Sequence, residues 1–464
     1  MISAPTIPID ASTHIPLHFL SPYAILATQG GAFMKTYSVL VLGAGCRGGM
    51  YADLMAAHPD KFRVVGVADP VEGRREALRR RLNLAAERCF SSWEEALSRP
   101  KMADVAVIAT GDDMHYIPAL KAIELGYDLL LEKPVAQTAE QCAAIARAAA
   151  EKGVRVLVCH VLRYTHFYKS IKSLLMAGTI GDVQSVMAVE AVGNLHQSHS
   201  YVRGNWHREA ESTPMIMAKC CHDLDVLQWL LDKPCKQVSS FGSLTHFTAA
   251  NAPAGAPTRC TDGCPEADTC PYNAVKLYYD DKDNDWFRCA CTRDIAKNNV
   301  PTDDEVMTAL KTTDYGLCVY HAHNDVVDHQ VVNMEFAGGA TVSFSMNAFN
   351  CGGRYIRLFG TKGELFGNAD GSELTLFTFA DRAYHRLSTL EVDESIVSGH
   401  GGGDEGIVCE LYDYLSDNYS GFCAADIDVS AKNHLIGFAA EEARHHGTVV
   451  DMDAYLAQYG LKNE

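Results

Sequence analysis

The sequence predicts an α/β protein: a doubly wound parallel sheet in its N-terminal part, then a second α/β region built on a mixed or antiparallel sheet. Three observations carry this. From Lys35 short β-branched runs alternate with amphipathic helical stretches, the signature of βαβ units. A glycine-rich turn, Gly43-Ala44-Gly45-Cys46-Arg47-Gly48, joins the first of these runs to a helical stretch. After about residue 180 the runs lengthen and alternate apolar with polar residues, which suits a sheet covered by helices on one face.

Strands of the first sheet are expected at 38–42, 63–68, 105–109, 128–131 and 155–159, and their near-continuous apolar character fits strands buried on both faces. A helix is expected over 138–152. In the second region the segments 185–192, 330–336, 341–347 and 354–359 alternate, and Gly338-Gly339 supplies the positive φ that a hairpin turn between the middle two needs. Residues 1–33 are rich in Pro, Ala and Thr without a period and are expected to form a peripheral arm. The expected divisions are this arm, a first domain over 34–160, and a second over 161–464 carrying a Cys-rich insertion at about 250–320.

A chain of 464 residues suits two domains with insertions. Its net charge of −18 argues against nucleic acid or an anionic membrane as partner, because those surfaces are met by clustered Lys and Arg. The sequence contains no run of eighteen uncharged apolar residues, and its first thirty residues lack the pattern of a secretory signal. A cytoplasmic location follows as the expectation. Several of the 16 cysteines, such as Cys159, Cys220, Cys221 and Cys409, stand singly in apolar runs and are expected as reduced thiols.

The glycine-rich turn is in the context that gives G-x-G-x-x-G its meaning, after a strand and opening a helix. Gly43 permits the tight turn, Gly45 lets the backbone approach a pyrophosphate, and Gly48 allows close helix-to-strand packing. The N–H groups of Cys46 and Arg47 would then face the phosphates. Asp69 ends the second strand, where a carboxylate accepts ribose hydroxyls and repels a 2′-phosphate. That favours NAD over NADP, although Arg74 lies close in sequence; a helix cap is the plainer role for Asp69.

Thr110-Gly111-Asp112-Asp113-Met114-His115 and Glu132-Lys133-Pro134 follow the third and fourth of these strands, at the sheet edge where ligands bind in doubly wound folds. A lysine partly desolvated beside a cofactor can move a hydroxyl proton. Together the glycine turn, Asp69, the 110–115 segment and the Glu-Lys-Pro tripeptide resemble the glucose-fructose oxidoreductase, inositol dehydrogenase and rhizopine-catabolism (Gfo/Idh/MocA) family. The resemblance implies an N-terminal Rossmann domain, a C-terminal α/β domain with an open sheet, and a dinucleotide between them, contacted at Thr110, His115, Glu132, Lys133 and Arg163. It also implies a homodimer or homotetramer formed through the open sheet.

Members of that family usually carry an Asp four residues before a catalytic His and another three after it. Here His222 and Asp225 match, but Ala218 stands at the first position. Lys219 and Asp223 are the polar neighbours available in its place, with His222 as acid/base partner of Lys133. A helix over 215–231 would bring Lys219, His222 and Asp223 within one turn. Tyr164, Asn194, His400 and Asp404 are the further candidates for binding a polyhydroxylated ligand; Asp404 could equally cap the helix that follows it.

Cys260, Cys264 and Cys270 lie close together in a loop rich in Gly, Pro and Asp. Three such thiolates suit a soft ion, with tetrahedral zinc the commonest structural choice and Cys318 the fourth ligand expected. Cys289, Cys291 and His321 compete for that place, and an iron–sulfur cluster or plain thiols are the alternatives. The expected activity is hydride transfer with NAD at a secondary hydroxyl of a sugar, inositol or glycoside. Its rival is glycoside hydrolysis through transient oxidation and elimination.

Overall fold

The computed structural model describes residues 35–293, 295–296, 300–369, 373–388, 402–416 and 419–463. The expected arm at 1–33 and the candidate His400 lie outside them.

The first sheet is parallel throughout, with strands β1 (Tyr37–Leu42), β2 (Phe62–Ala68), β3 (Cys89–Phe90), β4 (Val105–Ile108), β5 (Asp128–Leu131) and β6 (Val156–Val158) in the spatial order 3-2-1-4-5-6. Val39, Leu40, Val105 and Val107 are wholly buried, as expected of strands covered on both faces. The helix Ala139–Lys152 starts where the Thr138 hydroxyl accepts from Gln141 N–H and stops at Gly153, whose φ of +69° only glycine adopts cheaply. Strand order reverses between β1 and β4, so the crevice at their carboxyl ends is the ligand-binding position of this topology.

The second sheet has nine strands: β7 (Val183–Ala191), β8 (Cys235–Ser243), β9 (His329–Phe336), β10 (Thr341–Asn347), β11 (Gly353–Gly360), β12 (Gly363–Asn368), β13 (Glu373–Thr378), β14 (Tyr384–Ser388) and β15 (Val450–Asp451). Their order is 14-13-12-11-7-10-9-8-15, with β7 and β10 parallel and the other neighbours antiparallel. Gly338 and Gly339, at φ +84° and +86°, make the expected hairpin between β9 and β10. The long helix Ile427–His446 packs on β8, on the helix Cys221–Leu231 and on the helix Ala139–Lys152, and so ties the two sheets together. On the sheet's open side Met187, Phe241, Val331 and Tyr355 are exposed. Among the described residues no helix is long and apolar enough to cross a membrane.

Two features differ from expectation or add to it. The single helix expected over 215–231 is two, Met215–Ala218 and Cys221–Leu231. Between them the bonding tightens, Asp223 N–H donating to the Cys220 carbonyl three residues back, with no Pro or Gly to announce the break. The segment 244–328, between β8 and β9, also carries apolar clusters of its own: Tyr278, Phe287, Val306, Leu310 and Tyr315 form one, and Phe247, Tyr272, Leu317 and Val319 gather with Val202 in another.

Candidate active site and cofactor crevice

The three glycines differ in what surrounds them. Gly43 has φ +93°, and a Cβ there would meet the Ala109 carbonyl oxygen at 2.4 Å. A Cβ on Gly48 would lie 1.8 Å from the Gly43 carbonyl oxygen, so the helix Cys46–Ala57 sits directly on the turn. A Cβ on Gly45, by contrast, would meet nothing within 4 Å, and this residue caps the helix without any side-chain bond. The helix start thus offers bare N–H groups and a positive dipole end to the crevice, with Cys46 exposed beside them.

Asp69 closes the crevice on the β2 side. It is buried, accepting from Ala44 N–H at 2.7 Å and Val71 N–H at 2.8 Å, so it fixes the glycine turn while keeping lone pairs for a hydroxyl. Arg74 donates to the Arg293 carbonyl at 3.2 Å. Across the crevice Thr110 Oγ1 donates to the Met114 carbonyl.

Several residues expected at the ligand also make bonds within the protein. His115 is buried with Nδ1 2.7 Å from the Pro134 carbonyl and Nε2 3.3 Å from the Thr110 carbonyl, so it links the loops after β4 and β5. Glu132 is buried and accepts from Arg47 Nε at 2.6 Å and from Tyr51 at 2.8 Å. Burial raises the Glu132 carboxyl, but Arg47 and Lys133 more than reverse this and hold it ionised. Asp404 is also corrected: the helix Gly403–Tyr414 is capped by Gly402, and Asp404 is buried in an ion pair with Arg47 at 2.9 Å.

Arg163 and Tyr164 are both buried against protein partners. Arg163 is 2% exposed and grips Asp225 with two bonds, Nε at 2.7 Å and Nη2 at 2.6 Å, while Asn433 donates to the same carboxylate at 2.6 Å. Tyr164 is buried, its Cβ lying where a side chain on Gly406 would collide. Both residues are packed against helices of the second domain.

Lys133 remains at the carboxyl edge of β5, half-buried, with Nζ donating to the Ala218 carbonyl at 3.0 Å. The break after Ala218 turns Lys219 toward β7, where its Nζ lies 3.4 Å from Glu190. Arg354 completes a four-membered network, 2.7 Å from Glu190 and 2.9 Å from Asp223. Burial lowers the Lys219 ammonium from its ordinary value, with Glu190 opposing. Burial also pushes the Asp223 carboxyl up to about 6, with Arg354 opposing and Glu190 adding to it. His222 is buried with its ring edge-on to His160 at 5.7 Å, and His160 lies 3.8 Å from Asp225. Burial lowers His160 to about 4, so a neutral ring backs His222. The three residues expected on one helical turn therefore face different partners around one patch.

Sequence reasoning missed Arg354, which faces Glu190 across the β11/β7 pairing, because that register is invisible in either strand alone. It also missed the link from Trp206 Nε1 to Asp112 at 2.9 Å, which tethers the 194–207 segment to the loop after β4. Asn194, half-buried, opens that segment and hydrogen-bonds Tyr272. The four expected metal ligands Cys260, Cys264, Cys270 and Cys318 all line one cavity of about 20 Å³. Among the described residues Glu209, Glu441 and His445 also bring ligand-type atoms within 4.8 Å of one another, but Arg444 already pairs with both carboxylates.

Residues 37–160 match the family model for the oxidoreductase family, NAD-binding Rossmann fold, and residues 172–380 that for the oxidoreductase family, C-terminal alpha/beta domain. The chain is 24% identical over 333 residues to YteT of Bacillus subtilis, covering 68% of this chain and 74% of that protein. It is 27% identical over 209 residues to 2,7-anhydro-N-acetylneuraminate hydratase of Escherichia coli, covering 44% of this chain and 53% of that one. To inositol 2-dehydrogenase 1 of Saccharopolyspora erythraea it is 29% identical over 205 residues, covering 44% and 57%. These last two matches span only about half of the relative's length. Among solved structures, levoglucosan dehydrogenase in complex with NADH and levoglucosan shares the fold at TM-score 0.66 and 16% identity, with 90% of this chain and 100% of that one covered.

Proposed function

Because the chain belongs to the Gfo/Idh/MocA oxidoreductase family, we propose that it oxidises or reduces a secondary hydroxyl carbon of a sugar, inositol or glycoside with a nicotinamide dinucleotide. The observation that carries this reading is Lys133, held by the Ala218 carbonyl at the carboxyl edge of β5. A dinucleotide bound over the helix start at Gly45 supplies the hydride acceptor or donor. The crevice fits it: Gly45 leaves open space, the helix N-terminus offers donors, and Asp69 stands where ribose hydroxyls need an acceptor. Asp69 favours NAD over NADP, and Arg74 bonds to the Arg293 carbonyl.

Lys133 Nζ then binds the substrate hydroxyl and takes its proton as the carbonyl forms, returning it in the reverse direction. His222 holds the same oxygen from the other side. Lys219, its ammonium lowered by burial, is a second amine near the break at Ala218, and Asp223 and Glu190 set the charge around it. Such positioned proton transfer contributes roughly 10²- to 10⁴-fold in rate. Asn194 and Trp206 form the side facing the substrate's hydroxyls and C–H surface.

The test is turnover on a panel of sugars, inositols and glycosides with NAD or NADP, following reduced-cofactor absorbance and product mass. NADH formation that Lys133→Ala abolishes supports the reading; turnover unaffected by that variant refutes it. The second reading, hydrolysis or water addition by transient oxidation and elimination, draws support from Ala218 and from the similarity to a hydratase. It requires product release without net NADH. The exposed apolar side chains of Met187, Phe241, Val331 and Tyr355 further support a homodimer or homotetramer through the open sheet face.

A further inference from the structure

We propose that Cys260, Cys264, Cys270 and Cys318 bind one structural zinc ion that closes the insertion between β8 and β9 at its base. The backbone already brings the two ends of the insertion together. Cys260 N–H donates to the Gly316 carbonyl at 2.9 Å and Cys318 N–H to the Thr258 carbonyl at 2.8 Å, across an antiparallel bridge between Arg259 and Leu317. Cys260 and Cys318 therefore lie diagonally on one face of the bridge. The chain then turns back twice, with Ala267 N–H donating to the Cys264 carbonyl and Cys270 N–H to the Glu266 carbonyl, bringing the other two thiols to the same cavity. All four are free thiols, and none is fully exposed.

The cavity's size and charge both suit an ion. Its volume of about 20 Å³ admits one small occupant, since a single water needs roughly 10–15 Å³. Arg203 lines the same cavity at 1% exposure. Its Nε donates to the Leu317 carbonyl at 2.7 Å, and its Nη2 reaches the Tyr272 carbonyl at 2.7 Å and Cys260 Sγ at 3.7 Å. Among the described residues no carboxylate pairs with it. A buried guanidinium requires an anion nearby, and a tetrathiolate zinc centre, two negative charges in all, supplies one. Among the described residues no three of these sulfurs lie within 4.8 Å of one another. Zinc–sulfur bonds of about 2.3 Å draw the two turns inward, with every coordination position taken by protein. The ion is therefore structural and acts on the active site only by bracing Arg203 and, three residues on, Trp206.

The experiment is metal analysis of the full chain purified in thiol reductant without added metal, with cobalt substitution as a second measurement. The expected result is about one zinc per chain, all thiols titratable after denaturation in chelator, and a thiolate-to-cobalt charge-transfer band with tetrahedral visible bands in the exchanged protein. Cys264→Ser is expected to lose the zinc at least tenfold, while Cys351→Ser, an exposed cysteine outside the cavity, retains it. Should Cys264→Ser fail to fold, the zinc content and cobalt spectrum of the unaltered chain decide alone. Absence of stoichiometric zinc, iron in its place, a disulfide among the four, or octahedral cobalt bands overturns the proposal.

Discussion

Gly45→Ala and Gly48→Ala separate a cofactor crevice from a merely well-packed turn, because the two positions have opposite surroundings. At Gly48 the new methyl would lie 1.8 Å from the Gly43 carbonyl oxygen and 3.3 Å from Ala109 Cβ, with backbone on the near side that cannot rotate away. The helix must lift off the turn, and a cost of about 3 kcal/mol or more is expected, the upper end of overpacking penalties. At Gly45 the methyl meets no protein atom within 4 Å, and φ is −70°, which any residue adopts. Folding stability should therefore change by no more than about 0.5 kcal/mol. That methyl points into the space where a pyrophosphate approaches the helix N-terminus, so NAD should bind at least tenfold more weakly, about 1.4 kcal/mol. Denaturant melts and calorimetric titration with NAD measure the two quantities independently. Wild-type NAD affinity in Gly45→Ala would refute the placement of the dinucleotide, and a large loss of stability there would refute the packing argument.

Asp225→Asn leaves Arg163 without its charge partner in a fully buried site, and is expected to cost about 3–5 kcal/mol in denaturant melts; an effect confined to NAD affinity would instead make Arg163 a cofactor ligand. Asp69→Asn keeps the volume and removes the charge, so the ratio of NADP to NAD turnover should rise roughly tenfold, and an unchanged ratio would remove Asp69 from cofactor selection. Burial, with the charge of Glu441 adding to it, raises Glu209 from 4.5 to about 7. Its contribution to stability is thus full below about pH 4.5 and is lost as pH rises through 7. Glu209→Gln should match the parent in thermal melts at pH 4 and exceed it by about 1 kcal/mol at pH 8, a modest gain because the position is half-exposed to screening solvent.

The first sheet was legible because its information is local. Each strand is a short apolar run, the helix 139–152 carries its own cap and stop, and the glycine turn states its geometry in residue type. The Gly338-Gly339 hairpin was legible for the same reason. What sequence could not show is which polar side chains spend their bonds on one another. Arg47, Glu132, Arg163 and Asp404 have the residue types of a ligand site, and each is consumed by a partner distant in sequence: Arg47 and Asp404 are 357 residues apart, Arg163 and Asp225 are 62. The break at Lys219–Cys220 was equally silent, since a tightened turn needs no helix-breaking residue.

Ala218 is where these two kinds of information meet. In sequence it is a replacement: alanine stands where a carboxylate is expected four residues before His222, and the proton route lacks one member. In the fold the same position contributes its carbonyl oxygen, which no substitution removes, and Lys133 Nζ is bonded to it at 3.0 Å. A carbonyl orients an ammonium as a carboxylate does but cannot take its proton, so the site keeps the placement of Lys133 and gives up one acceptor. The break that follows Ala218 brings a second amine, Lys219, against Glu190, with burial making it easier to deprotonate. Lys133 and Lys219 are thus two amines in unlike surroundings, one held by a carbonyl and one by a carboxylate. Hydride transfer alone needs only the first. On the proposed second reading the other amine would serve the C–H proton that elimination removes, so product mass must be followed together with NADH.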